Sequence, residues 1–185
     1  MAPDTRTDDQ LLAELCTGSA DAFGELYRRY RIPLYAFCIR MARDQDRAGD
    51  LLHDVFLTLY RSAATIREPG ALKIWLFRVA RNQVLMSARA TAEIHGSEFE
   101  SAGDGETPET LLESAERSEI LRHALSSLKA EYREVLLLRE DEGMSYAEIA
   151  RVTGDSESSV KSRLFKARRA LAAMLSPRLG ERSLR

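Results

Sequence analysis

The chain has 185 residues, 44% of them hydrophobic and 30% charged, with 27 basic and 29 acidic side chains and a net charge of −2. That balance describes a globular chain rather than a disordered one, with room for one domain or two small ones. Its longest apolar run, Ala170 to Leu175, is too short to span a bilayer, and the polar opening "MAPDTRTDDQ" is no signal segment, so a cytoplasmic chain without membrane contact of its own is expected.

In chain order the apolar residues recur at helical spacing. Thr7-x-x-Gln10 has the form of a capping box ahead of Leu11, Leu12 and Leu15. Phe23, Leu26, Tyr27 and Tyr30 follow at i, i+3, i+4, i+7, and Leu34, Phe37, Cys38 and Met41 repeat that spacing after Pro33. Leu52, Val55, Phe56 and Leu59 define the next helix. The turn "REPG" then precedes one carrying Leu72, Leu76 and Val79. Between residues 93 and 107 the apolar period is lost and Gly, Ser and acids take over, as expected of a flexible tether without a core. Thr107-Pro108 reads as a cap with proline at the first helical position. Helices with Ile120, Ala124 and Leu128, then Tyr132, Val135 and Leu136, complete the chain up to Ser145. No stretch alternates with a period of two, so no sheet is expected. Cys16 and Cys38 lack metal-ligand spacing and read as buried reduced thiols on apolar helix faces.

Charge is distributed in blocks. Residues 93–119 hold nine acids against Arg117 alone; residues 151–185 hold nine bases and three acids; residues 61–92 hold six bases and Glu68. Two basic regions therefore flank an acidic one, and the small net charge is their average.

Ser145-x-x-Glu148 is a second capping box, opening a short helix that Gly154 ends with a tight reversal. Asp155 or Ser156 can cap the next helix, in which Val160, Leu164 and Leu171 share one face. The other face carries Ser158, Ser159, Lys161, Ser162, Arg163 and Lys166. Cap, glycine turn, inward apolar set and outward basic face together read as a helix-turn-helix suited to a major groove, rather than an αα-hairpin with idle charges. The stretch "LKIWLFRVARNQVLMSARA" is the second distinctive one. It sets Arg78, Arg81 and Arg89 among Trp75 and Phe77, a pattern that can follow phosphates and stack exposed bases. Trp75 taken alone is more readily a core residue.

Four segments carry a family resemblance: "AFGELYRRYRIPLYAFCIRM", "DRAGDLLHDVFLTLYR", "REPGALKIWLFRVARN" and "LSSLKAEYREVLLLREDEGMSYAEIARVTGDSESSVKSRLFKARRAL". Their order and spacing resemble the extracytoplasmic-function (ECF) sigma factors of the sigma-70 superfamily over nearly the whole chain. The resemblance implies an all-α fold of two small domains. An N-terminal helical bundle (1–92, region 2) and a C-terminal helix-turn-helix domain (108–185, region 4) are joined by the acidic linker (93–107). It implies that the chain binds core RNA polymerase, recognises the −10 and −35 elements of promoter DNA, needs no cofactor, and is held in check by an anti-sigma factor.

Carried over by position, the resemblance assigns Asp50, Asp54 and Phe56 to polymerase docking. Ile66, Arg67, Trp75, Arg78, Arg81 and Asn82 match the part that recognises and melts the −10 element. Ser156, Ser158, Ser159, Lys161, Ser162, Arg163 and Lys166 match the −35 reader. The linker's acidity suits a tether lying in a basic channel and avoiding promoter DNA. The chain departs from the pattern at Gly49, where an acid is usual, at Met86 and Arg89-Ala90, where Asp and paired Arg are common, and at Lys129, in place of a frequent proline. A two-domain helix-turn-helix regulator acting without polymerase would leave the "WLFRVARN" helix unexplained. An enzyme is disfavoured, because His53, His95 and His123 are scattered and no phosphate loop or nucleophile constellation is present.

Overall fold

A computed structural model describes residues 4–95 and 112–180, and every regular element among them is helical. The chain divides into two compact units near residues 101 and 102. No helix of the described residues is long and apolar enough to cross a membrane.

The first unit packs four helices, α1 (Asp8–Cys16), α2 (Ala20–Ala42), α3 (Gln45–Ser62) and α4 (Leu72–His95), with a 3-10 turn at Ala63–Thr65. Each of the first three starts where a short polar side chain satisfies a free backbone N–H. Thr7 and Gln10 close the expected capping box, Ser19 accepts from the Ala22 N–H at 3.2 Å, and Asp44 accepts from the Arg47 N–H at 3.0 Å. The apolar sets on either side of Pro33 belong to one 23-residue helix. Proline removes one backbone hydrogen bond there, while Leu26, Tyr30, Leu34 and Phe37 stay buried on a continuous face. Leu26, Leu34, Val55, Leu59, Leu76 and Phe77 are fully buried, and each such side chain contributes roughly 1.5–3 kcal/mol over exposure. Phe77 packs edge-on against Phe37 with centroids 5.4 Å apart. It is therefore core, and not the exposed aromatic surface that its place among the arginines suggests. Of the two cysteines, Cys38 is buried as expected and burial pushes its thiol up to about 12. Cys16 is exposed, because it is the last residue of α1, beyond the buried Leu15.

The second unit contains α5 (Leu112–Ser127), α6 (Ala130–Leu136), a π turn at Leu137–Asp141, α7 (Tyr146–Thr153) and α8 (Glu157–Gly180). The buried Arg133 donates from Nη1 to the carbonyls of Ser126 at 3.0 Å and Leu128 at 3.3 Å, so it closes the end of α5 with charge. Lys129 opens α6 at φ −54°. A proline ring would hold nearly the same angle, so lysine costs the backbone little there. Val135, Leu138, Met144, Ile149, Val160, Leu164 and Ala167 form the core of this unit.

Helix α4 continues through His95, three residues into the segment read as tether. Residues 96–107 of that segment and the Thr107-Pro108 cap lie outside the described residues.

Candidate nucleic-acid interface

The helix-turn-helix is built by local chemistry. The Ser145 hydroxyl accepts from the Glu148 N–H at 3.2 Å, and the Glu148 carboxylate accepts from the Ser145 N–H at 2.7 Å, which starts α7. Gly154 ends it at φ +77°, in the left-handed region open to glycine, and its N–H donates to the Ala150 carbonyl at 2.8 Å. Ser156 then caps α8, accepting from the Ser159 N–H at 3.2 Å. Val160, Leu164 and Ala167 seat α8 on the core, while Leu171 is only half-buried.

That seating decides what α8 presents. Ser158, Lys161, Ser162 and Lys166 are exposed, Ser156 is an exposed cap, and Ser159 is half-buried. Arg163 departs from the expectation. Its guanidinium bonds the Asp155 carboxylate through both Nη atoms, with the Nη2 bond at 3.2 Å, and lies 3.4 Å from Glu131. The side chain keeps 26% exposure, and the hydrogen bonds to Asp155 raise its pKa above the ordinary arginine value. Arg163 braces the turn from which α8 starts and does not belong to the outward stripe. The reason is angular. Three residues beyond Val160, its Cα lies on the flank of the buried face, within reach of the acids that end α7 and open α6. Arg168 is likewise held, by Glu140 at 2.7 Å, and this contact raises its pKa.

Phe165 takes the place Arg163 leaves. It is 67% exposed on the same stripe as Ser158, Ser162, Lys166 and Arg169. Sequence reasoning passed over it because an apolar residue next to Leu164 reads as core. The signal was available, since 165 falls outside the 160, 164, 171 spacing. Beside the stripe, the Tyr146 ring lies 5.3 Å from the Arg139 guanidinium and 5.7 Å from Lys161 Nζ. These contacts hold two cations against one aromatic ring.

In the first unit, α4 turns Leu72, Leu76, Phe77, Ala80 and Val84 inward and leaves Arg78, Asn82, Met86 and Arg89 exposed at i, i+4, i+8, i+11. Trp75 and Arg81 flank that stripe, both half-buried; Trp75 is neither a full core residue nor a free platform. In the turn before α4, Arg67 is exposed and Ile66 half-buried. Pro69 and Gly70 occupy its centre, Gly70 has φ +71°, and the Ala71 N–H donates to the Glu68 carbonyl at 3.1 Å. Proline followed by a left-handed glycine inside an i to i+3 hydrogen bond is a type II turn.

On α3, Asp50 and Asp54 stand one turn apart and are exposed. Phe56 is not: it is 3% exposed, with Tyr27 at 4.7 Å and Phe23 edge-on at 6.2 Å between centroids. Its position two residues past Asp54 puts it on the opposite side of the helix, so it secures α3 to α2 and offers no docking surface. The exposed aromatics beside it are Tyr27, 41% exposed, and Tyr60, 62% exposed. Among the described residues no group of three or more His, Cys, Asp or Glu side chains could hold a metal ion.

Two helical units, each showing a basic outward stripe and one of them a helix-turn-helix, define a DNA-reading transcription protein. Residues 26–93 match the family model for sigma-70 region 2, and residues 118–171 match that for sigma-70 region 4. The RNA polymerase sigma-H factor of Pseudomonas aeruginosa is 30% identical over 94% of this chain and 96% of its own length. The ECF RNA polymerase sigma-E factor of Escherichia coli K12 is 30% identical over 92% and 95%. The chain belongs to the ECF sigma factors of the sigma-70 family. A solved structure of CnrH in complex with the cytosolic domain of CnrY shares the fold, with a TM-score of 0.71, 24% identity and coverage of 92% of this chain and 97% of that one. So does the sigma factor RpoE bound to the anti-sigma factor NepR from Bartonella quintana, with a TM-score of 0.68, 23% identity and coverage of 82% and 97%.

Proposed function

We propose that this chain is a sigma factor that binds core RNA polymerase and directs it to promoters by contacts at both the −35 and −10 elements. The observation that carries the reading is the pair of outward stripes: Ser158, Lys161, Ser162, Phe165, Lys166 and Arg169 on α8, and Arg78, Asn82 and Arg89 on α4. The α8 stripe joins short hydroxyls, amines and one aromatic, which suit base edges, thymine methyls and phosphates in a major groove. The α4 stripe adjoins the turn at Ile66 and Arg67 and offers an amide, cations and the partly exposed Trp75. These are the groups that favour bases already out of the stack.

Asp50 and Asp54 on α3 form the polymerase-docking surface, joined by the exposed Tyr27 and Tyr60 rather than by Phe56. A division into two units near residues 101 and 102 is compatible with this reading, in which the acidic segment 93–107 is the connector. The role is regulatory, and the bond-making chemistry belongs to the polymerase. Family membership also supports an anti-sigma protein as the inhibitory partner. Run-off transcription on genomic DNA with purified core polymerase tests the reading. Transcripts that start at a shared promoter sequence only when the chain is added are the expected result. No added transcript, together with no capture of core polymerase, would remove it.

A further inference from the structure

The turn before α4 is held at its ends by its own neighbours and at its centre by a residue far away in the chain. The Ile66 N–H donates to the Ala63 carbonyl at 3.1 Å, and the Trp75 N–H donates to the Ala71 carbonyl at 2.9 Å. In a type II turn the peptide between the two central residues has its N–H directed out of the turn, without a partner in it. Here that N–H belongs to Gly70, and it donates to both carboxylate oxygens of Asp9, at 2.9 and 3.2 Å, across 61 residues of sequence.

Asp9 is well placed to hold it. Helix α1 is closed by the Thr7–Gln10 box and anchored through the buried Leu11, Leu12 and Leu15. The neighbouring Asp8 is fixed by Arg29 at 2.9 Å and by the Tyr30 hydroxyl. The two acids of the first turn of α1 thus divide their work, Asp8 tying α1 to α2 and Asp9 reaching the turn. A carboxylate beside a DNA-facing turn repels phosphate, so its presence there calls for a compensating task. Helix α1 also lies before the residues 26–93 that match region 2, outside the part of the chain that the family pattern covers.

We propose that Asp9 is a positioning residue for promoter reading: it fixes the Pro69–Gly70 peptide and so sets the orientation in which Ile66 and Arg67 meet the −10 element. The inference rests on the reading of that turn as a −10 contact.

The test uses the full chain in holoenzyme with core polymerase and a randomised single-stranded −10 oligonucleotide pool. Sequence discrimination, core affinity and thermal midpoint are compared for wild type, Asp9→Ala, Asp9→Asn and Arg67→Ala. Asp9→Ala should lower discrimination by about threefold to tenfold, the range of one charge-assisted hydrogen bond partly exposed to water, with core affinity unchanged. Asp9→Asn keeps a carbonyl acceptor and should stay within about twofold of wild type. The Gly70 amide of the wild-type chain should exchange with solvent at least about tenfold more slowly than an open amide. Wild-type discrimination in Asp9→Ala overturns the proposal, as does an equal loss in Asp9→Asn, since charge and not the acceptor would then matter. An unprotected Gly70 amide overturns it even if Asp9→Ala does not fold. If Arg67→Ala and the Asp9 variants all keep full discrimination, the turn itself is not the reader and the functional reading of that region falls first.

Discussion

The two basic helices use their arginines differently. On α8, Arg163 and Arg168 are spent on Asp155, Glu131 and Glu140 within the second unit, and the outward stripe is left to serines, lysines, Arg169 and Phe165. On α4, Arg78 and Arg89 project from the stripe itself, and among the braces of the first unit are those of Arg29 on α2 with Asp8 and Glu25. Both units recruit charge for bracing, the second on its reading helix and the first around α1 and α2, by Arg6 and Arg29 for example. Where the bracing acids lie decides which cations of a basic helix stay outward. Basic content alone therefore does not distinguish a reading helix from a braced one.

The largest effect should come from breaking the α4 stripe. Arg78→Ala or Asn82→Ala should leave polymerase binding intact and reduce open-complex formation on linear duplex by roughly tenfold or more, the worth of about 1–3 kcal/mol per captured base. A template with the −10 region already mismatched should restore most of the loss, because unpairing no longer has to be driven. Permanganate reactivity of −10 thymines on both templates is the measurement, and equal defects on the two would reassign these residues to docking or folding.

The next contrast lies within α8. Arg163→Ala should destabilise the second unit by about 1–2 kcal/mol, as loss of a partly buried, doubly bonded ion pair does. The midpoint of its thermal transition would fall by about 4–8 °C for each kcal/mol. Lys166→Ala should leave that transition where it is and lower the salt slope of promoter binding by roughly one. A stable Arg163→Ala protein with altered promoter choice would make Arg163 a reader after all.

Phe165→Ala sharpens the comparison further. With the residue 67% exposed, its truncation opens no core cavity. Stability should change by less than about 0.5 kcal/mol, while holoenzyme affinity for the −35 element falls by roughly threefold to tenfold, concentrated at one base pair. Competition binding with single-base promoter variants measures this, and a uniform loss across all positions would argue against a base contact.

The smallest effect belongs to Gly49, exposed in the second turn of α3, where an added Cβ would meet nothing within 4 Å. Gly49→Ala should stabilise the first unit by about 0.5–1 kcal/mol through helix propensity alone, read as a higher thermal midpoint. Gly49→Glu should in addition tighten binding to core polymerase if the α3 face docks there. A Gly49→Ala chain no more stable than wild type would show that α3 is held by packing alone.

How far the site was legible varies by residue. The capping boxes at Thr7 and Ser145, the left-handed Gly154 and the inward Val160 and Leu164 were readable, because each depends on atoms within a few positions along the chain. Phe56, Arg163 and Phe165 are where sequence and structure part. The resemblance assigns Phe56 to docking, although its spacing with Val55 and Leu59 turns it inward. The directions of Arg163 and Phe165 depend on a helix rotation of about 100° per residue and on the surface against which the helix rests.

By itself, then, the sequence determined the helices, their caps, the two charged regions and the kind of protein they make. These follow from hydrogen bonds that close over three or four residues and from a 3.6-residue period. Only the tertiary structure decided which cations are tied up and which face outward, since Asp155, Glu131 and Glu140 reach their arginines across turns between helices. It alone brought the Asp9 carboxylate to the Gly70 amide. Such pairings form where the packing of apolar faces brings polar groups on neighbouring elements within bonding reach, and no local pattern in the chain encodes that distance.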